Sequence, residues 1–116
     1  MRYLGKPWFP CATGPDAYDC KGLVAAIYAD QFSISINDAL DGLSSGICCM
    51  DRLIYPEQLA VVLMTSTQGL HVGIWLDADG GGVLHSVCHA GVVYSPARAL
   101  PSIDIRVNAF YRVILD

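Results

Sequence analysis

The spacing of apolar and polar positions changes once along the chain, near Pro56. Before it the period is helical. Leu23, Val24, Ile27 and Tyr28 stand at helical spacing from Cys20, which predicts a helix over residues 20–30 with one apolar stripe facing a core. Asp19 occupies its N-cap position, where a carboxylate accepts from unpaired backbone N–H groups. "NDALDGL" predicts a second, shorter helix capped by Asn37, and "SSGICCMDRLIYP" fits neither period. After Pro56 the pattern is that of strands. "QLAVVLMT" reads as a buried strand, "HVGIWLD" alternates into the turn signal "DADGGG", and "VLHSVCH" returns. "GVVYS" and "NAFYRVILD" supply further strands, and "ARAL" a helical turn. Helices first and antiparallel strands afterwards make an α+β layout, with N-terminal helices packed on a C-terminal antiparallel sheet. "GKPWFPCATGPD" is a loop punctuated by glycine and proline. No repeat, low-complexity tract or linker interrupts the chain, so residues 1–116 are expected to form one domain.

Composition narrows the partners. Apolar residues make up 53% of the chain and charged residues 16%, against roughly 25% charged in a typical soluble protein. A surface so short of charge fits either a compact enzyme with a large core or a component of a larger assembly. The net charge of −4 offers no basic stripe for phosphates, so nucleic acid is not an expected partner. The longest purely apolar run, residues 59–64, is far short of the roughly 20 residues of a membrane span. "MRYLGKPWFP" has no apolar central region, because Gly5, Lys6 and Pro7 interrupt it. A secretory leader is therefore not expected, and synthesis in the cytoplasm is.

Five cysteines are an odd number, expected as free thiols in a reducing compartment. No C-x-x-C pair occurs, and adjacent Cys48 and Cys49 are poorly placed as ligands of one tetrahedral zinc. No metal or cofactor is expected. Cys20 differs from the others because it follows a cap in the first helical turn. Unpaired amides and the helix dipole there favour a thiolate. A nucleophilic thiol also needs a base that is near in space. His71 is the candidate base, at the opening of a strand on which His71, Gly73 and Trp75 share one face and Val72, Ile74 and Leu76 the other. Gly73 beside it leaves room for a neighbouring side chain or a substrate. His85 lies on the return strand. A hairpin register whose paired residue numbers sum to an even value brings it to the face of His71, where it can orient that ring; an odd sum turns it away. Periodicity alone leaves a packing cysteine and two ordinary histidines as an equal alternative, and His89 keeps an unremarkable solvated role.

"GKPWFPCATGPDAYDCKGLVAAIY" followed by "HVGIWLDADGGGVLHSV" resembles the NlpC-type cell-wall cysteine peptidases. Asp19, Cys20, Gly22, Leu23 and Val24 match that family's nucleophile motif. His71 to Ile74 match its base motif, and "VLHS" puts His85 at its orienting position. The resemblance implies a compact papain-like fold and a Cys20–His71–His85 triad. It also implies hydrolysis of a peptidoglycan stem-peptide amide, with Trp8, Asp19 and Gly73 on the substrate side and no cofactor. It looks most like the phage tail-associated branch, which implies a place in the virion tail among other tail proteins and action during cell entry. The sequence departs from the pattern at four places: Trp8 replaces a tyrosine, Cys11–Ala12 a Gly-Gly pair, Lys21 a serine, and Glu57–Gln58 a Gly-Asp lead. These changes bear on substrate choice and turnover. Besides the thiol hydrolase, three readings stay open: a structural tail component of the same fold with little activity, an acyltransferase on the same dyad, and a metal or cluster protein using Cys11, Cys48, Cys49, Cys88 and His89.

Overall fold

The structure, a computed structural model, describes residues 2–45 and 50–113. Two helices precede a six-stranded antiparallel sheet. Helix α1 spans Cys20–Phe32 and α2 spans Asn37–Ser45. The strands are β1 (Met50–Leu53), β2 (Val61–Ser66), β3 (Gly69–Leu76), β4 (Gly82–Val87), β5 (Gly91–Pro96) and β6 (Arg106–Val113). Their order is β1-β6-β2-β3-β4-β5, so β2 to β5 form a meander and the last strand inserts beside β2. The α+β layout is as expected from the change of period.

Asp19 begins α1 as a cap, its carboxylate accepting from the Gly22 N–H at 2.6 Å. Asn37 does not cap α2. The carbonyl of Ile36 accepts the Leu40 N–H at 2.9 Å, so Asn37 is the first helical residue. Strand β2 starts three residues later than Gln58, because Leu59 takes a left-handed φ of 67° that ends the extended run. Strand β3 starts two residues before His71, so this histidine lies inside the strand. "ARAL" opens a 3-10 turn over Ala97–Ile103. Of the ambiguous stretch, Met50–Leu53 is β1; Cys48 and Cys49 lie outside the described residues.

The sheet has a core on each face. On one, α1 lays Leu23, Val24, Ile27 and Tyr28 over Val61, Val72, Ile74, Leu84 and Val92. The other gathers Val62, Met64, Trp75 and Val83 with Leu100 and Ile105 beneath the 3-10 turn. Directly paired residues share a face. Since Met64 pairs with His71 and Val62 with Gly73, the His71 side of β3 belongs to the second core.

Candidate active site

The α1 N-terminus is held by the loop before it. Asp19 accepts from the Cys11 N–H at 3.1 Å through its second carboxylate oxygen, and its own N–H donates to the Ala12 carbonyl at 2.9 Å. Tyr18 pairs with both Trp8 and Thr13. The loop packs so closely that a Cβ on Gly22 would lie 2.0 Å from the Ala12 oxygen, which explains the glycine two residues after Cys20. Cys11, where the resembled pattern has glycine, holds a left-handed φ of 63°. From the sheet side, buried Ser86 donates to the Tyr18 carbonyl at 2.6 Å.

Strands β3 and β4 pair Ile74 with Leu84, Trp75 with Val83 and Leu76 with Gly82. Each pair of numbers sums to an even value, so His71 and His85 face the same side. Their rings meet: His71 Nε2 lies 2.8 Å from His85 Nδ1, with the planes at 68°. His85 is fully buried, and its Nε2 lies 2.8 Å from Ser95 Oγ on β5. Burial pulls both imidazoles toward the neutral form, His71 to about 4 and His85 to about 3, with the His71 ring adding to the shift at His85. His71 Nδ1 has no hydrogen-bond partner among the described residues. Among the described residues no side-chain nitrogen or oxygen is both buried and unpartnered, so this nitrogen is open to water.

Cys20 reaches β3 at the neighbouring residue. The backbone N–H groups of Val72 and Lys21 pull its thiol toward the ionised form. Burial outweighs them and the Asp19 charge adds to it, so the thiol is pushed above its ordinary value. Position in the first helical turn leads to the opposite expectation, because sequence shows the dipole and not the packing above it. Lys21 does not reverse the shift; its ammonium lies 3.6 Å from Asp41. The expected Cys20–His71 hydrogen bond is not formed. Side chains alternate along a strand, so Val72 turns toward α1 and His71 away from it.

The substrate-side residues divide. Trp8 is half-buried, and its indole N–H has no hydrogen-bond partner among the described residues. Both Asp19 oxygens serve the backbone, so Asp19 fixes the loop and the helix start. The space at Gly73 is filled by the protein: a Cβ there would lie 2.5 Å from Val83 Cγ1 and 3.0 Å from His85 Cβ. Gly73 therefore lets the second histidine close on the first. The Cys20 N–H has no partner among the described residues. Cys88 and His89 lie in the β4–β5 turn, and among the described residues no three His, Cys, Asp or Glu side chains cluster as a metal site.

Ser95 was not legible as part of this group. Its register signal exists, since β4 pairs His85 with Val93 and Ser95 follows two residues on, but choosing that register requires knowing where β4 ends. No family model matches the chain, and no curated protein matches it. Among the described residues no helix is long and apolar enough to cross a membrane.

Proposed function

We propose that the protein is a papain-like thiol hydrolase of the NlpC type that cleaves a peptidoglycan stem-peptide amide and works within a phage tail assembly. The observation that carries the chemistry is the ordered row His71–His85–Ser95, each link 2.8 Å, with His71 next along the strand to Val72, whose backbone N–H favours the Cys20 thiolate. The substrate class and the tail setting rest on the motif resemblance alone. In this reading His71 Nδ1 takes the Cys20 proton as the sulfur attacks the amide carbonyl carbon. The free Cys20 N–H faces the developing oxyanion. The C–N bond then breaks, the amine leaves with the proton from His71, and a thioester remains. Water, deprotonated by His71, releases the acid and restores the thiol. With the thiol raised and the imidazole lowered, the resting pair is neutral, and proton transfer accompanies attack. The reading requires the Cys20–His71 contact, absent in the unliganded structure, to form in the substrate complex.

A specific observation favours a second reading. The absent Cys20–His71 hydrogen bond and the raised thiol also fit a peptidase-like building block without turnover. Release of free amine from a panel of stem peptides separates the two. Cys20→Ala and His71→Ala should each lower cleavage at least about 1,000-fold, as members of one catalytic unit do. Circular dichroism should stay native, at a stability cost of about 1 kcal/mol for Cys20→Ala. Cleavage by Cys20→Ala would unseat the nucleophile, and no cleavage by the wild type would leave the building block. Simple thiol labelling does not discriminate, because Cys11 is exposed and Cys20 is not.

A further inference from the structure

We propose that Ser95 is a positioning residue whose hydroxyl accepts from His85 Nε2–H and thereby fixes the tautomers of the histidine pair, leaving His71 Nδ1 unprotonated. The catalytic consequence rests on the thiol-hydrolase reading; the tautomer does not.

The argument is one of donor and acceptor counting. A neutral imidazole has one N–H and one lone pair. With His71 Nε2 against His85 Nδ1 and His85 Nε2 against Ser95 Oγ, the protons along the row must all point the same way. Two arrangements satisfy this. In the first, His71 Nε2–H donates to His85 Nδ1, His85 Nε2–H donates to Ser95, and His71 Nδ1 carries a lone pair. In the second, Ser95 donates to His85 Nε2, His85 Nδ1–H donates to His71 Nε2, and His71 Nδ1 carries the proton. Only the first leaves a base on the side open to water. It also places both rings in the Nε2–H form, which free histidine prefers. It makes two demands: an acceptor at His85 Nε2, which is fully buried, and an outlet to water for the Ser95 hydroxyl proton, which has no other partner among the described residues. Ser95 is that acceptor. It lies on β5 across from Val83, on the same face as both rings, and is itself buried. Without the hydroxyl, the first arrangement strands a buried N–H donor, and the second strands only a lone pair. The balance then tips to the second, and His71 loses its base.

Long-range proton–nitrogen correlation NMR on the histidine-labelled full chain reads the tautomers directly, with three histidines to assign. Threonine and valine at this position share a shape and differ by the hydroxyl, so Ser95→Thr and Ser95→Val isolate it. Wild type and Ser95→Thr should show unprotonated Nδ1 on His71 and His85. Ser95→Val should move His71 toward Nδ1–H. In stem-peptide cleavage, Ser95→Val should lower kcat about 10- to 100-fold with KM unchanged, and Ser95→Thr should restore it. Should Ser95→Val fail to fold, Ser95→Ala gives the same reading, and the wild-type spectrum is itself decisive. A protonated His71 Nδ1 in the wild type, or unchanged tautomers in both hydroxyl-free variants, overturns the proposal. Tautomers that shift in a protein that cleaves no stem peptide would leave the role of Ser95 standing and remove the hydrolase.

Discussion

The two faces of the central strands carry opposite chemistry one residue apart. Under α1, Val72, Ile74, Leu84 and Val92 belong to one hydrophobic cluster with Leu23, Val24 and Ile27. On the reverse, His71, His85 and Ser95 form a buried polar row continuous with Val62, Met64 and Val83. An apolar face is stabilised by area and volume, so its residues contribute in proportion to what they bury. A polar row is stabilised collectively, because each group is satisfied by the next and loss of one strands its neighbour. A domain that needed only stability would bury apolar side chains on both faces. The polar row is thus the part of the core that packing does not explain.

Truncation on each face tests that contrast most strongly. Ile74 is fully buried under α1, and Ile74→Ala should cost about 3 kcal/mol through lost transfer energy and a cavity. Cleavage per folded molecule should not change. His85→Leu keeps the space filled with hydrocarbon and removes the links to His71 and Ser95, so the expected cost is about 1 kcal/mol. Cleavage should nonetheless fall at least about tenfold, since nothing then orients His71. Urea midpoints and cleavage rates on the same samples check both. Equal stability losses with unchanged activity would make the two faces alike.

The layout was legible because each element has its own period. Cys20, Leu23, Val24 and Ile27 announce α1, whereas the even β3–β4 register is set by the pairing of Leu76 with Gly82. The edges were not legible. Leu59 delays β2 through a backbone conformation that leucine rarely adopts, and the carbonyl of Ile36 takes the cap position offered to Asn37. At the site, alternation showed that an even register would bring His71 and His85 to one face, and the structure supplied that register. The raised thiol and the absent Cys20–His71 bond could not be read from alternation. Both depend on how the "GKPWFPCATGPD" loop and β3 enclose Cys20, and that is set by contacts such as Ala12 on Gly22 and Ser86 on Tyr18. Ser95 stayed hidden for the same reason, being remote in sequence from any motif.

Acid separates the faces by charge. An unfolded histidine titrates at about 6.5; in the folded chain His71 is held down to about 4 and His85 to about 3. Between these limits the unfolded chain binds protons that the native chain refuses. Stability is therefore fully present above about pH 6.5 and is lost as pH falls toward 4, by a few kcal/mol. The carboxylates of Asp30 and Glu57 are also lowered, by Arg2 and Arg112, but they act in a more acidic window and are exposed. Urea unfolding at stepped pH from 7 to 4.5 should give a declining midpoint, and His85→Leu should flatten much of that decline. A midpoint that does not move over this range in the wild type would mean that the imidazoles are not held neutral by burial.

The smallest expected effect lies at the seam where the two faces meet, at Asp19. Its carboxylate caps α1, ties down Cys11 and opposes a charge on Cys20. Two substitutions separate these roles. Asp19→Ala removes the cap and should cost about 1 kcal/mol. Asp19→Asn keeps an acceptor for the Gly22 N–H but cannot also accept from the Cys11 N–H, so losing that exposed bond and the charge should cost about 0.5 kcal/mol. The thiol should respond to the two changes alike. Of the influences that raise Cys20, burial is the larger and survives both changes; the Asp19 charge is lost in both. Alkylation of Cys20, followed by mass spectrometry of its peptide so that exposed Cys11 does not interfere, should therefore shift to lower pH in Asp19→Asn while the fold holds. An Asp19→Asn protein whose Cys20 titrates as in the wild type would show that burial alone sets the thiol.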